Sequence, residues 1–231
     1  ITTTFTRYKM SQRRSRASNA VDLSPLQDAI KECVRFVVCR EGSKLPIKRA
    51  EIIKHINTNN QTPANQVNVV IVEANKTLKH VYGYKLVQVE AKSGIQYIVV
   101  LDQPCQDAPL SNAVDPHQRK LLVAALTHIY MTNGAVKEDM WKFLEEASLL
   151  EENDHTGRKI LTNTFTRQMY IQYHKVGEGD LAKYVFEWGQ RAEEEVPKMF
   201  LLNKMAEALE KEPNHWYEQF KIATDQQAPA E

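Results

Sequence analysis

The sequence predicts a mostly α-helical protein with small β wings, built as tandem winged-helix domains. Two observations carry that prediction. Amphipathic helical periodicity gives way to two-residue alternation in YKLVQVE and IQYIVVL, separated by the turn residues AKSG. The same order, three helical segments and then a hairpin, returns after a proline-bearing connector. The repeat is one of architecture and not of residues.

In the first unit a helix is expected over 24–38. Asp22 or Ser24 is its cap, Pro25 suits its first turn, and Leu26, Ile30, Cys33, Val34, Val37 and Val38 form its apolar face. EGSK is a turn. Pro46 opens a second helix with Ile47, Ala50, Ile53 and Ile56 on one side, and NTNNQTP is a loop. A third helix from residue 64 carries Val67, Val70, Ile71, Ala74, Leu78 and Val81, and the hairpin follows. Pro104, Pro109 and Pro116 break any regular element between the units.

In the second unit helix 116–131 presents Leu122, Ala125, Leu126 and Ile129 before Asn133 and Gly134. Helix 136–148 presents Val136, Met140, Phe143, Leu144 and Ala147, and helix 160–169 presents Leu161, Phe165 and Met169. Strands over 170–176 and 183–188 flank the tip GEGD. A last helix, 191–211, has Glu193, Glu194 and Glu195 in its first turn, where acids suit the helix dipole, and a stripe of Met199, Leu202, Met205, Ala206 and Leu209. The expected organisation is a flexible basic tail (1–21), a first winged-helix domain (22–102), a linker (103–115), a second winged-helix domain with an extra C-terminal helix (116–211) and a polar tail (212–231). Met10 is a candidate start of the native chain.

A formal net charge of +1 offers no global attraction to nucleic acid, but the charge is unevenly spread. Residues 1–110 hold 16 Lys and Arg against 9 Asp and Glu, and residues 111–231 hold 14 against 20. A basic front half and an acidic back half suit different neighbours. Cys33, Cys39 and Cys105 form no closed disulfide framework and no metal knuckle; Cys33 and Cys39 fall in an apolar helical pattern, as core residues do. A reducing compartment is expected. No membrane-length apolar run occurs, and no HExxH, GxxxxGK[ST], GxSxG or calcium-loop spacing is present. His128, His155 and His174 have no partners that spacing identifies. No catalytic residue, metal or cofactor is expected.

YGYKLVQVEAKSGIQYIVV, RKLLVAALTHIYMTNGAVKEDMWKFL, RKILTNTFTRQMYIQYHKV and KYVFEWGQRAEEE resemble the melanoma-antigen (MAGE) homology domain, over about residues 23–209. The most specific signal is KILT, then YIQY, then YVFEWG-RA beyond the wing tip. The family's ancestral member belongs to a structural-maintenance-of-chromosomes (SMC) complex acting in DNA repair. The resemblance implies tandem winged helices and a non-enzymatic adaptor in the nucleus, with a cytoplasmic pool left open. The implied partners are a RING-type ubiquitin ligase subunit, a kleisin-like bridging subunit, the SMC subunits through the complex, and weakly contacted DNA. No membrane role is implied.

By the same resemblance, the RING partner meets Val37 and Val38, following Phe36, where the family has paired leucines. Two adjacent helical residues cannot share one face. With Val34 and Val38 turned inward, Val37 is expected toward the domain's edge. The kleisin-like partner is expected on the second unit, at Leu161, Phe165, Met169 and Tyr170, which also read as core residues. For DNA, Lys76, Lys79, Lys85 and Lys92 of the first unit, extended by Arg13, Arg14 and Arg16, form a basic footprint without an evident base reader, so contact is expected to be salt-sensitive and non-specific. The alternatives are a stand-alone ubiquitin-ligase cofactor and a winged-helix transcriptional regulator.

Overall fold

The structure, a computed structural model, describes residues 26–59, 62–91, 93–103, 110 and 115–227. Residues 1–21, with Arg13, Arg14 and Arg16, and also Lys92 and most of 103–115, lie outside them.

The first unit runs α1 (Gln27–Glu41), β1 (Ile47–Lys48), α2 (Arg49–Asn59), α3 (Val67–Thr77), β2 (Tyr84–Ala91) and β3 (Gly94–Leu101). Ala29, Ile30, Cys33, Val34 and Val37 are the buried stripe of α1, and they meet Val67, Val70, Ile71 and Ala74 of α3. Burial pushes the Cys33 thiol up to about 12, so it stays protonated and inert. Cys39, expected inside with it, is exposed, because the α1 stripe passes through Val37 and leaves position 39 on the outer face. The sheet has three strands in the order β1-β3-β2, antiparallel throughout, with Tyr84 opposite Leu101 and Ile47 opposite Tyr97. The two-residue strand β1 stands where the start of the second helix is expected; two residues are too few to display a period.

The second unit repeats the plan with α4 (Pro116–Thr132), β4 (Ala135–Val136), α5 (Lys137–Glu146), α6 (His155–Lys159), α7 (Phe165–Arg167), β5 (Ile171–Val176) and β6 (Lys183–Trp188), its sheet ordered β4-β6-β5. Asp115 caps α4 by accepting from the His117 and Gln118 amides, with Pro116 in the first turn. Asn133, in the left-handed conformation, ends it. The third helix of each unit carries a π-helical turn, Leu78–Tyr82 in the first and Ile160–Thr164 in the second. Each widens the helix before the chain turns into the wing.

The WG-RA letters acquire physical roles here. Trp188 is buried and its indole N–H donates to the Leu126 carbonyl at 2.9 Å. Gly189 lies so close to the Met169 backbone that a Cβ would stand 2.7 Å from the Met169 carbonyl carbon. Arg191 is 1% exposed, and Ala192 is wholly buried.

The single helix expected over 191–211 is two, α8 (Gln190–Glu195) and α9 (Lys198–Ala208), because Pro197 has no N–H to give the Glu193 carbonyl. The Gln226 side chain repairs the break: its amide N–H donates to the Glu193 and Val196 carbonyls at 3.0 and 3.2 Å, and its oxygen accepts from the Lys198 amide at 2.7 Å. Gln226 belongs to α10 (Tyr217–Gln227), in the stretch expected to be a polar tail. Only Ala223 of α10 is fully buried, and its docking is largely polar: the Tyr130 hydroxyl donates to the Gln219 carbonyl, and the Gln219 amide donates to the Met131 carbonyl at 3.2 Å. Docking held largely by Gln219 and Gln226 leaves no clear apolar period, so the stretch reads as a polar tail in the sequence.

The two units meet where α8 lies on β3. Tyr97 and Val99 point into the first core, whereas Ile98 and Val100, equally buried, belong to neither core and take the alternate face of the strand. Arg191 crosses this joint: its side chain donates to the carbonyls of Val99 at 2.5 Å and Lys44 at 3.0 Å in the first unit, and of Gln168 at 2.8 Å in its own. It also donates to Glu195 at 3.1 Å, and the Tyr170 hydroxyl donates to the other oxygen of that carboxylate at 2.7 Å. Glu195, expected as one of three first-turn acids suited to the helix dipole, is buried in this cluster. At the edge of the joint Lys85 pairs with Glu194 at 2.9 Å.

Two measurements check this account. Gly189→Ala forces the Met169 backbone to shift, and overpacking of this kind costs roughly 1–3 kcal/mol, readable as a lower denaturation midpoint. His128, stacked on Phe143 at 4.3 Å, has its pKa lowered by burial, against an opposing pull from Asp139. Below the ordinary histidine range the unfolded chain then binds more protons than the folded one, so stability falls as pH drops through about 6.5. His128→Leu should flatten that part of the profile of melting temperature against pH.

Candidate functional site

The surfaces open for docking are set by what the two cores and the joint leave uncovered. On α1 the stripe 29/30/33/34/37 turns Val37 fully into the core, which corrects its expected place at the edge. Phe36 and Val38 are half-buried, packed on the margin of the first core. The Phe36 ring stacks on His55 of α2 at 4.5 Å and carries the Arg40 guanidinium 5.3 Å from its centre. The surface available on this helix is therefore Phe36 and Val38, with Cys39 beside them.

Of the residues expected to receive the kleisin-like partner, Leu161, Phe165 and Tyr170 are wholly buried. Their side chains build the core and offer nothing to a partner. Met169 is half-buried at a left-handed backbone position, φ 64°, and lines a cleft with Val89, Ile171 and Gln172. The more apolar opening of the second unit lies elsewhere, between α4 and α9. Its floor is made by Val123, Ala124, Leu149, Phe200, Leu201 and Met205, and its volume is about 560 Å³. Arg119, Lys120 and Lys204 stand on its rim, and among the described residues no acid lines it. A readable signal existed: the core stripe of α4 is 122/125/126/129, yet Val123 and Ala124 are also apolar, on a second sector. A helix with two apolar sectors needs two coverings.

The basic residues assigned to DNA are already engaged where they can be seen. Lys76 pairs with Glu73 at 2.7 Å, Lys79 with Asp102 at 3.3 Å, and Lys85 with Glu194 across the joint. Around them the third helix and its π turn expose Val72, Val81 and Tyr82, and Leu101 is exposed at the end of β3. Among the described residues no three His, Cys, Asp or Glu side chains come together as a metal site, and no helix is long and apolar enough to cross a membrane.

Comparison with known proteins agrees with this architecture. The MAGE homology domain matches residues 33–120. The human "Non-structural maintenance of chromosomes element 3 homolog" is 30% identical over 217 residues, which are 90% of this chain and 70% of that protein. The mouse protein of the same name is 29% identical over 201 residues, 84% of this chain and 71% of its own length. Human "MAGE-like protein 2" is 30% identical over 203 residues, a span that is 16% of that longer protein. Among solved structures, a chain of an "Nse1-Nse3-Nse4 complex" superposes with a TM-score of 0.71 at 28% identity, covering 86% of this chain and 97% of the other. With one such relative matched across more than two thirds of its length, and the tandem winged helices in place, this chain belongs to the MAGE homology domain family.

Proposed function

We propose that this chain is a non-enzymatic adaptor in a chromosome-maintenance and DNA-repair complex of the SMC class, joining a RING-type ubiquitin ligase subunit to a kleisin-like subunit. One observation carries the reading: nearly all of a chain from an Nse1-Nse3-Nse4 complex superposes on this one, through both units. A nuclear location and contact with the SMC subunits through the complex follow from the same likeness.

The RING-type subunit is assigned to the first unit, at Phe36 and Val38, with Val37 supporting them from the core. The kleisin-like subunit is assigned to the second unit. There the α4–α9 groove fits an amphipathic helix laid apolar face down, and Lys120 on its rim suits an acid on that helix, while Lys204 must first leave Glu207. Leu161, Phe165 and Tyr170 belong to the core of that unit, and Met169, the one of the four with surface to spare, lines the separate cleft beside Ile171 and Gln172. DNA contact is assigned to Arg13, Arg14, Arg16, Lys76, Lys79, Lys85 and Lys92, and the ammonium groups of Lys76, Lys79 and Lys85 must first leave their carboxylates. It is weak and salt-dependent.

Native affinity purification tests the whole reading: a RING-type and a kleisin-like subunit should co-purify in stoichiometric amounts, and their absence would overturn it. Within it, Val123→Asp with Phe200→Asp should weaken the kleisin-like partner at least tenfold by calorimetry and leave the RING-type partner bound. Phe36→Ala with Val38→Asp should do the reverse. All four positions are half-buried against a core, so each variant should melt below the parent yet keep its helical signal by circular dichroism.

A further inference from the structure

We propose that Arg191 is a positioning residue that rivets the two winged helices into one rigid platform, holding the surface around Phe36 and the α4–α9 groove at a fixed separation and angle. Its guanidinium is fully withdrawn from water, and its side-chain donors meet four acceptors. Two of these, the carbonyl of Gln168 and the carboxylate of Glu195, belong to the second unit; the other two, the carbonyls of Val99 and Lys44, belong to the first. The Tyr170 ring lies against the guanidinium at 5.6 Å. Arg191 is itself held from behind, because its own amide donates to the Met169 carbonyl at 2.9 Å, beside the close approach of Gly189.

The chemistry selects arginine. A planar fork with donors in several fixed directions reaches two carbonyls on a neighbouring unit and a carboxylate on its own, which a lysine ammonium cannot do in that geometry. The partners in the first unit are backbone oxygens, so the rivet reads the shape of that unit and not its side chains. Val99 supplies one oxygen from the strand whose other face, Ile98 and Val100, is buried outside both cores. Lys44 supplies the second from a left-handed turn residue, φ 56°, whose buried ammonium is tied to Glu41. Opening the joint strands these groups together: a guanidinium and a carboxylate lose their desolvated geometry, and two apolar side chains meet water. The joint is therefore closed or open with little between.

What a rigid joint supplies to a partner is bivalency. A ligand touching both units binds its second site at a high effective concentration while the spacing is fixed, and loses that advantage when the units tumble independently.

The test uses the full chain with Arg191→Met/Glu195→Gln, which removes the rivet without orphaning a buried charge, and separately Val100→Asp, which opens the joint from the first unit. Small-angle scattering and thermal melting are measured beside circular dichroism. Both variants should keep the parent's helical signal, show an increased maximum dimension, and split one melting transition into two. Arg191→Lys should behave like the double variant. Unchanged dimensions in a folded R191M/E195Q would overturn the proposal, as would failure of both joint variants to fold, which would make the cluster core and not joint. A partner assembled on both units should lose about 10–100-fold in affinity, and one held by a single unit should bind unchanged; that arm also depends on the adaptor reading, which scattering does not.

Discussion

A guanidinium taken out of water needs an acceptor for each donor and an anion near enough to balance its charge. Arg191 sets four of its five side-chain N–H groups on oxygens from both halves of the molecule, and much of the architecture follows from where those oxygens must be. The first wing has to present the Val99 carbonyl to α8, so β3 is buried on both faces. Glu195 has to turn inward, one helical turn beyond Arg191, where the Tyr170 hydroxyl takes up its second oxygen. Gly189 has to lack a side chain so that the chain leaving β6 can pass against Met169 and deliver Arg191 to the joint.

That constraint also decides which surfaces remain for partners. A winged helix that binds DNA commonly uses its third helix and its wing together. In the first unit the outer face of the wing is spent on the joint, Lys85 is tied across it, and the third helix shows Val72 and Val81 among its lysines. The balance of exposed groups there favours protein. In the second unit α8 serves the joint and α10 closes the break at Pro197, which leaves α9 to form an open apolar wall with α4. Most of the basic excess of residues 1–110 lies in the cations of 1–21, so the two units differ less in charge than in the kind of surface they leave free, and the basic rim of the groove is a local exception in the acidic half.

Much of the fold was legible in the residues, because burial on one face leaves a period. The hairpins at 84–101 and 171–188 alternate, the α1 and α4 stripes repeat at 3.6, and Pro116 and Asn133 mark the ends of α4. Less legible were features that leave no period: the two-residue strands β1 and β4, the π turns, and α10, held on largely by Gln219 and Gln226. The candidate sites were legible only in part. Val37 and Val38 were both recognisable as apolar, but which of two adjacent residues turns inward depends on a few tens of degrees of helix rotation, and packing against α3 sets that. Leu161, Phe165 and Tyr170 are recognisable as apolar positions of the second unit, yet they lie beneath its surface.

By itself, the sequence determined the order of elements, the duplication of a three-helix-and-wing body, and the family, since these rest on local periodicity and on letters such as WG-RA. Only the tertiary structure decided that the R of those letters reaches 92 residues back to Val99 and 147 back to Lys44, that Val123 and Phe200 line one groove, and that Lys85 answers Glu194. The physical reason is that a buried charge is satisfied by whichever oxygens the folded chain brings within about 3 Å, and most of those offered to Arg191 are backbone carbonyls, which every residue carries and no sequence distinguishes.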